Sequence, residues 1–262
     1  MKINKVCKLP ENLKATLVFA IASFATSGIN YITTPIFTRI LSTSEYGLIS
    51  VYNSWFEIVR VFASVTLIFP GILNVGLYEH SDNRWKYLSS MLGMTACSTV
   101  VISVFYGIFH QSVNEFFKLP VSTIILMLIT CFFQPATIFW TQKQRYEIKY
   151  KSTFCVSVGT AVMAQVVSVI AVLCLKNSNH NMGVVRLWSA GIVNLIVAIF
   201  LYIYICRRGK KYVDSILWKS TLFVAVPLIP HYLSTVVLSS IDKIMISQMI
   251  SQNKTGIYSL AA

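Results

Sequence analysis

Seven stretches of this chain contain no Asp, Glu, Lys or Arg, and each is long enough to cross a bilayer. They run 15–38, 61–78, 87–114, 119–142, 152–175, 187–206 and 220–241. A hydrocarbon core of about 30 Å takes about 20 apolar residues in helical form. Barrel strands would be about ten residues long with alternating polarity. The pattern therefore predicts an all-α, polytopic integral membrane protein with about seven transmembrane helices. The second span is expected to begin earlier, near Gly47, and so to include Glu57 and Arg60. The seventh can continue past Asp242 and Lys243 toward Ile250. Composition agrees: 12% of the 262 residues are charged and the mean hydropathy is +0.66. A soluble domain carries about 25% charged residues, and neither a soluble globule nor a disordered tail fits so little polar surface.

The surplus charge of +13 is distributed by loop. Numbering the segments between spans from the N-terminus, the odd ones hold 15 Lys and Arg and the even ones six, with Arg60 inside the second span. Rich and poor segments alternate strictly, which is the positive-inside pattern. It places the N-terminus in the cytoplasm and gives the charge a topological role, with no nucleic-acid partner. Trp55, Trp85, Trp140, Trp188 and Trp218 fall near expected span ends, where indoles anchor at headgroups. The four early lysines and the apolar run after them form an uncleaved first span, because the run is too long for a signal peptide. The six cysteines lack metal spacing and are expected to be small buried apolar residues. The four histidines form no metal motif, no phosphate-binding or dinucleotide fingerprint occurs, and no metal or cofactor is implied.

Loops are short, so function must reside among the helices. Polar side chains within spans are costly in lipid and mark sites or helix contacts. They are Asn30, Glu57, Arg60, Gln134, Gln165, Asn194 and His231, accompanied by Pro35, Pro70, Pro135, Pro227 and Pro230. Glu57 and Arg60 stand three residues apart and share a helix face. About 20 Å of helix separates Arg60 from Gly47, which puts the cation near mid-bilayer. It reads equally as an anion-binding group and as half of a structural ion pair.

Two segments go beyond hydrophobicity. Pro35-Ile-Phe-Thr-Arg-Ile-Leu-Ser-Thr-Ser-Glu-Tyr-Gly47 resembles the end of helix one in bacterial polysaccharide exporters. Pro230-His-Tyr-Leu-Ser, Asp242-Lys-Ile-Met-Ile and Gly256-Ile-Tyr-Ser-Leu-Ala261 resemble helix seven and the start of helix eight. The family is the O-antigen and capsule repeat-unit flippases (Wzx type) of the multidrug/oligosaccharidyl-lipid/polysaccharide exporter superfamily. The motifs also resemble each other. Thr38-Arg-Ile-Leu through Gly47-Leu-Ile-Ser50 parallels Asp242-Lys-Ile-Met through Gly256-Ile-Tyr-Ser259, with five extra residues in the second copy. A repeat that restarts after six helices is parallel. The expected organisation is a six-helix lobe over 1–214 and the first helix of a second, incomplete lobe over 215–262, in a truncated protein.

The resemblance implies a flippase, not an enzyme, in the bacterial plasma (inner) membrane. Its substrate would be an undecaprenyl-diphosphate-linked oligosaccharide, and membrane lipids, a polysaccharide polymerase and a chain-length regulator would be its partners. Candidates for the diphosphate are Arg60 and Arg39, and for sugar Asn30, Gln134 and Gln165. Glu57 and Asp242 are candidates for a coupling ion. The rivals are a cation-coupled multidrug exporter, which would want more acids in its cavity than Glu57, and a membrane-embedded polymerase, which would want a large external loop.

Overall fold

The computed structural model describes residues 11–176 and 181–261. The early lysines at 2, 5 and 8, together with Cys7 and His180, lie outside the described residues. Among the described residues, nine α-helices and one short 3-10 turn make up nearly all of the chain. They are α1 (Glu11–Ile40), α2 (Thr43–Ala63), α3 (Pro70–Glu79), α4 (Arg84–Phe117), α5 (Val121–Tyr146), α6 (Tyr150–Leu175), α7 (Met182–Gly209), α8 (Ser215–Met249) and α9 (Gln252–Ala261). Six of them, α1 and α4 to α8, are long and apolar enough to cross a membrane. Large apolar side chains such as Phe24, Phe223 and Leu238 are about four-fifths exposed on the outer faces. Water would not tolerate so much apolar surface, so lipid is the solvent, and the protein is a multi-pass membrane protein.

The second span differs from its expected form. Residues 61–78 are not one helix: α2 stops at Ala63, residues 64–69 are irregular, and α3 resumes at Pro70. The earlier start is as expected, at Thr43. Ser42 caps it, and Glu45 returns the bond in a capping box, its carboxylate accepting from the Ser42 N–H at 2.8 Å. Because α2 begins so early, Trp55 sits mid-helix, stacked on Phe117 with ring centroids 4.2 Å apart. Other indoles are also packed between helices. Trp140 is buried, and the Trp218 Nε1–H donates to the Ser90 carbonyl at 2.9 Å. The cysteines depart from expectation as well: Cys131 is buried, while Cys97, Cys155 and Cys174 are exposed on outer faces.

Helix ends follow local chemistry. Left-handed residues close α4 (Lys118) and α7 (Lys210), and Pro120 keeps the chain from extending α4. Asn181 caps α7, its Oδ1 accepting from the Val184 N–H at 3.2 Å. The core is divided. One cluster, with Leu73, Leu88, Met91, Phe139 and Ile205, packs α3, α4, α5, α7 and α8. A second, with Val51, Trp55, Ile124 and Met127, centres on α2 and α5. A third, around Phe37, Ile49 and Met182, joins the end of α1 to α2 and α7.

The bundle has a basic end, where α4, α6 and α8 begin and α5 and α7 finish. One carboxylate, Glu147, holds three cations there: Lys143 at 2.5 Å, Lys149 at 2.8 Å and Arg84 at 3.5 Å. Asp214 similarly holds Lys211 at 2.8 Å and Lys86 at 3.5 Å. Burial pulls the Glu147 carboxyl up, but the hydrogen bonds and charges of Lys143 and Lys149 outweigh it and hold it below the ordinary range. Its stabilisation is therefore complete above the ordinary carboxylate range and is lost as pH falls through the lowered native value. Lys143 is only 3% exposed, and it would lose this counter-charge in Glu147→Ala, which should cost about 3 kcal/mol. Lys149→Ala removes a 61% exposed partner and should cost less than about 1 kcal/mol. Thermal unfolding in detergent across a pH series tests both: the Glu147→Ala deficit should shrink toward acid, while Lys149→Ala stays small.

Candidate functional site

The break after α2 is the most unusual backbone among the described residues. Val65 and Thr66 are β-branched yet have φ of 49° and 60°, a left-handed conformation that such residues rarely adopt. Inside a bilayer the freed backbone groups must also find partners, and they do. The Val65, Thr66 and Leu67 N–H groups donate to the carbonyls of Phe62, Val61 and Ser64 at 3.0–3.2 Å. The Ser64 hydroxyl donates to the Arg60 carbonyl at 2.7 Å, and Ser98 of α4 reaches the Phe62 carbonyl at 2.9 Å. Thr66, fully buried, donates its hydroxyl to the Ala225 carbonyl of α8 at 3.3 Å. That stretch of α8 carries Pro227 and Pro230 within a continuous helix, each lacking a backbone donor. Phe69 stacks on Tyr232 just beyond, with centroids 3.8 Å apart. The break thus meets the proline-bearing stretch of α8, and below it α3, the start of α4 and α8 line a cleft of about 310 Å³. Its walls are mostly apolar, with Tyr87, Ser220 and Thr221 hydroxyls inside and Glu79 and His80 also lining it.

Arg60 lies in the last turn of α2, three residues before the break. Its guanidinium pairs with Glu57, and the two side chains remain 24% and 38% exposed. It also lies over the Phe56 ring, 5.8 Å from the centroid. Two features favour a cation here, the Glu57 carboxylate and the negative end of the α2 dipole. The Arg60 Nε–H is nonetheless buried without a hydrogen-bond partner. The group is neutralised but not saturated, and it keeps a donor for an incoming acceptor.

The remaining sequence-derived candidates are dispersed. Gln165 of α6 donates its Nε2–H to the side-chain Oδ1 of Asn30 of α1 at 2.8 Å, so these two meet each other. Gln134 lines a separate chamber of about 110 Å³ between α5, α6 and α7, with Thr130, Thr137, Thr160 and Asn194. Arg39 is exposed in the last turn of α1. Asp242 lies within α8, seven residues before its end, and accepts from the Tyr258 hydroxyl of α9 at 3.2 Å.

Comparison with known families adds one finding: the model of the family described as polysaccharide biosynthesis protein matches residues 12–262. The chain belongs to that family. Comparisons with curated proteins and with solved structures returned no match.

In this family member, residues outside the sequence-derived candidates organise the end of the bundle opposite the basic one. Glu45 bonds its own helix start and also accepts from the Met182 N–H at 2.7 Å, so one carboxylate caps both α2 and α7. Arg186, a loop cation by sequence, lies one turn inside α7 with its guanidinium 3.8 Å from the Phe37 ring centroid. Gly47 and Gly256 face each other where α2 crosses α9. A Cβ on Gly47 would run into the Gln252 carbonyl oxygen, and one on Gly256 into that of Thr43. Each would also stand 3.1 Å from the other glycine's nitrogen. The caps match too: Ser42 Oγ accepts from the Glu45 N–H and Ser251 Oγ from the Lys254 N–H, both at 3.3 Å.

The two helix starts therefore share one register, position for position, from residue 41 to 50 and from 250 to 259. The five extra residues lie before this, inside α8, and carry Asp242 and Lys243 away from the helix end. Thr43 and Asn253 touch across the crossing. Cysteines at these two positions, in an otherwise cysteine-free chain, should cross-link on mild oxidation. Gly47→Leu should abolish that cross-link by forcing α9 off α2, as read by the mobility of a protease-nicked chain.

Proposed function

We propose that the protein moves an undecaprenyl-diphosphate-linked oligosaccharide repeat unit from the inner to the outer leaflet of a bacterial plasma membrane. The observation that carries this reading is Arg60 beside the break in α2. A cation with an unfilled donor stands at mid-span, next to irregular backbone and above a cleft with hydroxyls. Within a polysaccharide biosynthesis family, such a group suits the diphosphate, which cannot enter hydrocarbon unaided. The polyprenyl tail stays in lipid, and the sugars need only hydroxyl and amide partners, for which Asn30, Gln134 and Gln165 remain candidates.

Glu57 then acts as the resting counter-charge. An arriving diphosphate displaces its carboxylate from Arg60, and the carboxylate returns to Arg60 when the anion leaves. Asp242, held by Tyr258, remains a candidate coupling group, and Arg39 an outer contact for the anion. The basic end faces the cytoplasm in this scheme, and the matched starts of α2 and α9 are equivalent points of two lobes. A drug exporter fits less well, because Glu57, the acid beside the break, is already committed to a cation. A polymerase and a chain-length regulator would take the unit after it crosses.

Arg60→Ala in the chromosomal gene should reduce surface polysaccharide at least tenfold, with lipid-linked units accumulating on the cytoplasmic leaflet and the protein still inserted. Glu57→Gln should keep Arg60 available but leave it without a returning counter-charge, so that the diphosphate is released more slowly and export falls. Unchanged export in Arg60→Ala would take the diphosphate away from this site, and single units reaching the outer leaflet unpolymerised would point to a polymerase instead.

A further inference from the structure

A groove of about 520 Å³ runs between α1 and α6 at the basic end of the bundle. Val18 and Ile21 of α1 face Phe154 and Cys155 of α6 across it, with Tyr150 and Lys151 at its mouth. Adjoining it is a second concavity of about 330 Å³ at the turn between α5 and α6, lined by residues 148–152. The two share Tyr150 and Lys151. One is apolar, and the other offers two lysines and two hydroxyls.

The cations here are not spoken for in the same way as those a few residues away. Lys149 is tied to Glu147. Lys151 makes no ion pair among the described residues, nor does Arg145, whose guanidinium lies over the Phe19 ring of α1 at 5.5 Å. Lys14 stands four and seven residues before Val18 and Ile21, on the same face of α1. Depth fits as well. From Tyr150 to Cys155 is about 7.5 Å of helix, the distance from the headgroup layer into the upper acyl region.

We infer that this pair of concavities is a binding site for an anionic phospholipid of the surrounding membrane. Lys151, which lines both concavities, holds its phosphodiester, Arg145 over the neighbouring Phe19 ring adds positive charge beside it, and the first part of an acyl chain lies on Val18, Ile21 and Phe154. A zwitterionic lipid carries its own cation and gains little from two more. The transported diphosphate lipid shares this chemistry, but α1 and α6 are not the helices that frame the break beside Arg60. The site stands whatever the protein transports.

The test uses the full chain in nanodiscs, with Cys155 as the single remaining cysteine, carrying a small bimane fluorophore. Each basic group near the surface is worth about fivefold in anionic lipid binding. Brominated phosphatidylglycerol in a phosphatidylcholine disc should therefore quench the label at least about fivefold more efficiently than brominated phosphatidylcholine does. R145Q/K151Q should abolish that preference, and R145K/K151R, which keeps both charges, should retain it. Equal quenching by the two lipids in the unaltered chain would overturn the site. So would a preference that survives R145Q/K151Q, or relief of quenching by an equal amount of undecaprenyl diphosphate, which would make the groove a seat for the polyprenyl lipid.

Discussion

Backbone N–H and C=O groups have no water to turn to inside hydrocarbon, and each one left unpaired costs several kcal/mol. Helices satisfy that demand within themselves, which is why nearly every described residue is helical. The same demand makes the interruption after Ala63 informative. It is tolerated because the Val65, Thr66 and Leu67 N–H groups turn back onto the Phe62, Val61 and Ser64 carbonyls, while Ser98 of α4 adds a donor at the Phe62 carbonyl and Thr66 places its own hydroxyl on the Ala225 carbonyl of α8. The opposing stretch of α8 carries its own prolines. The break satisfies its own N–H groups by turning back on the end of α2, and the hydroxyls of Ser98 and Thr66 tie it to α4 and α8.

A second constraint is the scarcity of acids: nine Asp and Glu serve 22 Lys and Arg. Several carboxylates consequently do more than one job. Glu147 gathers three cations at the basic end, Asp214 two, and Glu45 starts two helices at the other end. Basic side chains outnumber the carboxylates that could pair with them, and the surplus must find hydrated headgroups, aromatic rings or anions. Rings take part of the load: Arg145 lies over Phe19, Arg208 over Tyr204 and Arg186 over Phe37. Such contacts are favourable when desolvated but leave the full positive charge in place, so the basic end remains attractive to anions.

Helix number and placement are legible because lipid imposes them through length and charge, which a sequence displays directly. Contacts between helices are less so. Glu57 and Arg60 pair as their spacing implies, since both lie on one helix. Asn30 and Gln165 are each visible as polar residues at depth, but nothing local shows that they meet each other across α1 and α6. The break after Ala63 is hidden because Val65 and Thr66 are β-branched, the last residues expected at positive φ. Only Pro70, which occupies the first position of α3, hints at a new helix start. Arg186 departs from expectation for the opposite reason: a charge suggests a loop, whereas aromatic faces accommodate a guanidinium one turn inside α7.

The matched starts of α2 and α9 bear on how the bundle is held. At that end the backbones touch through two glycines, Lys118 donates to the Ser247 and Gln248 carbonyls at 3.3 and 3.0 Å, and Gln252 donates back to the Lys118 carbonyl at 2.9 Å. At the other end, α3 is only ten residues long and separated from α2 by the break, and it borders the open cleft against α8. The crossing holds one end of the bundle by backbone contact, whereas α3 is joined to α2 only through residues 64–69, so the cleft lies on the side of the break where the helix is shorter. Arg60 stands between the two, which places the irregular backbone and the partly buried charge side by side.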